Sequence, residues 1–80
     1  MSIGTVFTSR CNLFSRPKPP LPWIEFSSVK HDNNVIYLIV DCIQVTDGEE
    51  WYAVLSGDHG LVYMLASWFN SHQSILSVYE

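Results

Sequence analysis

Eighty residues that are 48% apolar and 14% aromatic exclude an intrinsically disordered chain and fit one domain, residues 1–80. A chain this short buries only about 60–65% of its unfolded surface, so some of that aromatic area is expected outside, at a partner or homo-oligomer interface. The net charge of −4 argues against a nucleic-acid backbone as main partner, and no apolar run reaches the ~18–20 residues that span a bilayer.

Charge is sorted along the chain. All four cations, Arg10, Arg16, Lys18 and Lys30, precede residue 31, and seven of the eight acids follow it. One account is a basic N-terminal strap lying on an acidic body; the other is an acidic face aimed at a basic partner, since complementary potential orients association. The first residues lack the basic-then-apolar layout of a secretion signal, so a cytoplasmic protein with Cys11 and Cys42 as free thiols is expected.

In chain order, Ile3–Thr8 predicts a short strand with Ile3, Thr5 and Phe7 on one face. Periodicity is lost over Ser9–Ser15. The stretch 16–22 then holds all four prolines, whose fixed φ and missing amides favour a polyproline II connector. It also matches the basic-x-x-Pro-x-x-Pro pattern of ligands for SH3 domains, with Arg16, Pro19 and Pro22 as contacts. If the connector packs on the protein's own aromatics, it lies across Trp51 and Tyr52 with Arg16 near Glu49 or Glu50. Trp23–Val29 alternates as a strand, and Lys30–Asn34 is a polar turn.

Val35–Val40 is six consecutive apolar residues rich in β-branched and aromatic types, the pattern of a strand packed on both faces. Cys42, Ile43 and Val45 extend it to Asp47-Gly48, a hairpin signal that predicts a type I′ turn, and the chain returns through Trp51–Leu55. Ser56-Gly57-Asp58-His59-Gly60 is a second turn. Two readings compete beyond it. Leu61–Leu65 forms a third strand ending in a tight turn at Ala66–Phe69, or Leu61, Leu65, Trp68 and His72 mark an amphipathic helix over 60–72. Ser74–Glu80 reads as a closing strand.

Asp47-Gly48-Glu49-Glu50-Trp51-Tyr52, followed by Leu55 and Gly57-Asp58-His59-Gly60-Leu61-Val62, resembles the second half of an SH3 domain over residues 47–69. There an acidic loop precedes paired aromatics, a tight hairpin ends in Gly-Leu, and a 3₁₀ turn carries an aromatic, the place that Ala66–Phe69 would take. The family's N-terminal Ala-Leu-Tyr-Asp-Tyr pattern is absent, which removes half of its proline-binding surface. The expected fold is therefore mostly β, an SH3-like small barrel of about five antiparallel strands. The alternative is α+β, an antiparallel sheet with one C-terminal helix at 60–72.

Metal ligation is not expected: Cys11, His31, Cys42, His59 and His72 show no C-x₂₋₄-C or H-x₃₋₅-H pairing. Ser56, Asp58 and His59 together suggest nucleophilic chemistry by residue type. Neighbours in one tight turn rarely converge on a reacting atom, though, so no catalytic group and no cofactor is assigned. Trp51, Tyr52, Tyr63, Trp68 and Phe69 are core, or they line a peptide groove or a cation cage like that of tudor-like relatives of the barrel. The expected function is a small acidic, non-enzymatic protein-binding module. It would be an adaptor or an inhibitor occluding a larger partner, of the kind viral genomes encode against a host machine. Alternatives are an aromatic surface reading a peptide or modified side chain, and weak nucleic-acid binding through Arg10, Arg16, Lys18 and Lys30. Binding residues are expected among Trp51, Tyr52, Glu49, Glu50, Tyr63, Trp68, Arg16, Pro19 and Pro22.

Overall fold

The computed structural model describes residues 2–17, 28–45 and 48–79. Its strands are β1 (Val6–Ser9), β2 (Phe14–Ser15), β3 (Val29–Lys30), β4 (Tyr37–Gln44), β5 (Glu50–Ser56), β6 (Gly60–Leu65) and β7 (Leu76–Tyr79). A helix α1 (Ala66–Ser71) and a 3₁₀ turn (Gln73–Ile75) lie between β6 and β7. Five strands form one antiparallel sheet in the order β6-β5-β4-β1-β7, so the mostly-β expectation is met.

Strand β4 carries the architecture because it pairs with β1 through Tyr37 and Leu38 and with β5 along most of its length. A register shift between Ile39 and Asp41 bends it, as a β-bulge does. Its apolar run is not packed on both faces. Tyr37 and Ile39 are buried while Ile36 and Val40 are exposed, the alternation of a sheet with one covered side.

The β4–β5 reversal occurs where Asp47-Gly48 signals it, with a different geometry. The amide of Gly48 donates to Val45 O (3.0 Å) and that of Val45 to Glu49 O (3.0 Å). Gly48, at φ +86°, therefore closes a three-residue loop instead of sitting at the centre of a two-residue type I′ turn. Thr46 and Asp47 lie outside the described residues.

Over 60–72 the strand reading holds for 60–65, and the continuous helix is corrected: only Ala66–Ser71 is helical. Val62 and Tyr63 sit in register with Val54 and Ala53, so ladder hydrogen bonds outweigh the helical spacing of Leu61 and Leu65. The turn placed at Ala66–Phe69 is this six-residue helix, and the 3₁₀ turn falls instead at Gln73–Ile75. The closing strand is β7. The expected strand at 23–29 is described only from Ser28 onward.

The core lies between the inner face of the sheet and α1. Phe7 stacks on Tyr37 (5.0 Å between centroids) and meets Phe69 of α1 edge-on (5.2 Å), with Ile39, Tyr52, Val54, Val62 and Met64 around them. Beside the β6 edge, β2 and β3 form a short ribbon (Phe14↔Lys30, Ser15↔Val29). Arg16 continues it into the sheet: its amide donates to Tyr63 O (2.9 Å), and the Tyr63 amide donates to Arg16 O (2.8 Å).

Candidate functional site

Two places on this frame gather chemistry. The first is a cavity of about 270 Å³ between the β2–β3 ribbon, β6 and α1, with Phe14, Arg16, Trp51, Tyr63 and Trp68 among its lining. The Arg16 guanidinium lies 4.7 Å over the Trp51 ring, a cation–π contact. Three of the sequence candidates, Trp51, Tyr63 and Trp68, thus converge with a fourth, Arg16. Arg16, the first residue of the 16–22 stretch, lies across Trp51, while Pro19 and Pro22 fall outside the described residues. Arg16 is tied into the sheet by its backbone and onto Trp51 by its side chain.

Tyr52 is corrected. Successive residues of a strand face opposite ways, so Trp51 and Tyr52 cannot share a surface. Tyr52 takes the inner face against Phe69 (5.5 Å) and is 5% exposed. Burial first, then the charges of Glu50 and the Cys42 thiolate, raise its phenol above the usual tyrosine range. Trp51 is itself only 6% exposed beneath Arg16. Glu49 and Glu50 are exposed at the start of β5, where the Cys42 thiol donates to Glu50 Oε1 (2.7 Å). That hydrogen bond, with burial and the Glu50 and Asp41 charges behind it, pushes the thiol up to about 11. Trp68 stacks on His72 (4.5 Å) along α1. Cys11 and Cys42 are both free and exposed.

The second place joins residues that the sequence leaves apart. His31 follows β3 and is held there by its backbone: its amide donates to Leu13 O (2.8 Å), and the Asn12 side chain donates to its carbonyl (2.8 Å). Its buried ring has Nε2 2.5 Å from Ser15 Oγ and Nδ1 2.8 Å from Asp58 Oδ1 in the β5–β6 turn. His59 Nε2 is 3.7 Å from Asp58 Oδ2, and the two imidazoles meet edge to face at 5.1 Å. Burial raises the Asp58 carboxyl, but the His31 hydrogen bond and charge and the Asp32 amide outweigh it and hold it below the usual carboxylate range.

Ser15, His31 and Asp58 have the order of contacts of a nucleophilic triad, but their exposure is reversed. In a hydrolase the serine meets substrate and the carboxylate lies behind. Here Ser15 is 4% and His31 0% exposed, while the side chains of Asp58 and His59 are 20% and 45% exposed. Ser56, the serine singled out from sequence, braces the turn by donating to Gly60 O (2.9 Å) and accepting from the His59 amide (3.1 Å).

No protein-family model, curated protein or solved structure matches the chain. Among the described residues, no helix is long and apolar enough to cross a membrane.

Proposed function

We propose that the chain is a non-enzymatic protein-binding module, an adaptor or inhibitor that grips an apolar segment of a larger protein with the outer face of its sheet. One observation carries this reading. Tyr79, Val6, Leu38, Leu55 and Leu61 stand opposite one another in five successive strands, so their side chains share one face. Leu55, Leu61 and Tyr79 are exposed, and Val6 and Leu38 are half-buried.

At the usual strand spacing this row is about 19 Å long, the reach of a partner's helix or strand. Leu55 and Leu61 are 47% and 49% exposed, so burying what remains on association would contribute about 0.7–1.5 kcal/mol each. Trp51 and Tyr63 stand on the same face by alternation along β5 and β6, which joins the row to the aromatic cavity. An SH3-like arrangement is supported by the tight Ser56–Gly60 turn leading into Leu61 and by the 3₁₀ turn ahead of the last strand. The cation-cage alternative is disfavoured because Arg16 already covers Trp51.

The test is affinity capture from the native host with the tagged chain, set against Leu55→Lys/Leu61→Asp, whose opposite charges face each other across the β5–β6 ladder. Both positions are exposed, so the variant should melt near wild type yet lose the captured protein. Unchanged capture would remove this face from consideration. Light scattering that shows a wild-type dimer and a monomeric variant would make the occupant a second copy and overturn the larger-partner reading.

A further inference from the structure

We propose that His31, Asp58 and His59 form a binding site for a divalent transition-metal ion of the zinc class, at the junction of the β2–β3 ribbon and the β5–β6 turn. The ligand atoms, His31 Nδ1, an Asp58 carboxylate oxygen and His59 Nε2, all lie within 4.8 Å of one another. Around a tetrahedral zinc with bonds of about 2.0–2.1 Å, neighbouring ligand atoms stand about 3.3–3.4 Å apart. His31 Nδ1 stands 2.8 Å from Asp58 Oδ1 and His59 Nε2 3.7 Å from Asp58 Oδ2, distances on either side of that value. They run to the two oxygens of one carboxylate, so a rotation of the carboxylate brings a single oxygen between the imidazoles.

Adjustment falls on the more exposed member. His59 is half-exposed at the turn, whereas His31 is fixed by its own backbone bonds and by the Tyr37 ring edge-on at 5.3 Å. Two imidazoles and one carboxylate are a donor set suited to zinc and its first-row neighbours, and they leave a coordination position open to water.

The surroundings supply what a ligating histidine needs. A metal-bound imidazole donates its other N–H to an oriented acceptor, and Ser15 Oγ, 2.5 Å from Nε2, is in place to accept. A serine hydroxyl donates or accepts by rotating, so the ring can carry its proton on Nδ1 without metal and on Nε2 with it. Asp58 is steadied from behind by the Asp32 amide, 3.4 Å from Oδ2. The exposure gradient fits as well. It fails for a hydrolase, but it sets the carboxylate and His59 toward solvent with the orienting serine inside. Independently, the Tyr37 hydroxyl is buried beside this cluster with no hydrogen-bond partner among the described residues.

The site uses none of the residues of the apolar row, so it stands or falls apart from the binding face. The experiment is calorimetric titration of zinc into the full chain carrying Cys11→Ser and Cys42→Ser, which removes competing thiols. Saturable binding of one ion per chain is expected. It should weaken at least about tenfold in His59→Gln, by about 10–100-fold in Ser15→Ala, and not at all in His72→Gln, a histidine at the end of α1 outside the cluster. His31→Ala risks the fold, so His31 is read by NMR of its ring nitrogens instead, where zinc should move the proton from Nδ1 to Nε2. Absence of saturable zinc binding, binding indifferent to His59→Gln, or an unmoved His31 proton would each overturn the assignment.

Discussion

Tyr37 offers the most direct test of the core. Its ring is almost wholly buried, stacked on Phe7 and edge-on to His31, while its hydroxyl has no partner among the described residues. Tyr37→Phe keeps the ring and both aromatic contacts and removes only that hydroxyl. An unpaired buried hydroxyl costs about 1–3 kcal/mol in proteins, so the variant should be more stable, against the usual direction of core substitutions. In a domain of this size each kcal/mol moves the melting temperature by about 4–8 °C. Urea unfolding is the assay, with the midpoint rising at unchanged slope. The pH dependence supplies a second readout. Burial, then the charges of Asp58 and Asp32, hold the Tyr37 phenol well above the usual tyrosine range. Above about pH 10 the unfolded chain gives up this proton while the folded one keeps it, so wild-type stability falls as pH rises. Tyr37→Phe should lose less over that window, Tyr52 still contributing its own share. A lowered urea midpoint would show the hydroxyl to be bonded and refute the argument.

Two further predictions follow from placements the structure settles. Tyr52→Ala should cost on the order of 3–5 kcal/mol, as loss of a large core aromatic does, while Leu55→Ala three residues on should stay within about 0.5 kcal/mol; parallel urea melts compare them. Glu50→Gln should speed alkylation of Cys42 between pH 8 and about 10, because the carboxylate that keeps its thiol protonated up to about 11 is gone; iodoacetamide rates in a Cys11→Ser background measure it, and an unchanged rate would count against the Cys42–Glu50 hydrogen bond.

The sheet was largely legible because its signals are local. The β-branched run before Asp47-Gly48, the return through Trp51–Leu55 and the glycine-flanked second turn are each decided by residues within a few positions of one another. The alternation rule required Trp51 and Tyr52 to part company but could not say which went inward. That choice rests on Phe69, seventeen positions later, whose ring reaches Tyr52. Strand β2 was missed for a related reason. Two residues show no period, and its partner lies fourteen or more positions away.

The cluster at His31 shows where such reading stops. Asp58 and His59 are visible as residue types in a tight turn, and Ser56 beside them bonds within the turn itself. Their third member sits 27 positions earlier and arrives only because Leu13 and Asn12 clamp the His31 backbone. The turn meets it because the Gly57 amide donates to Ile36 O (3.1 Å), anchoring β5 to the segment that follows His31. Both ties use main-chain groups, which any residue type supplies, so no side-chain pattern announces them. Chemistry assembled by backbone bonds between distant segments becomes readable only once the register is known. The same holds for the apolar row: each of its five residues is an ordinary strand residue alone, and together they become a surface through the register of four strand pairs.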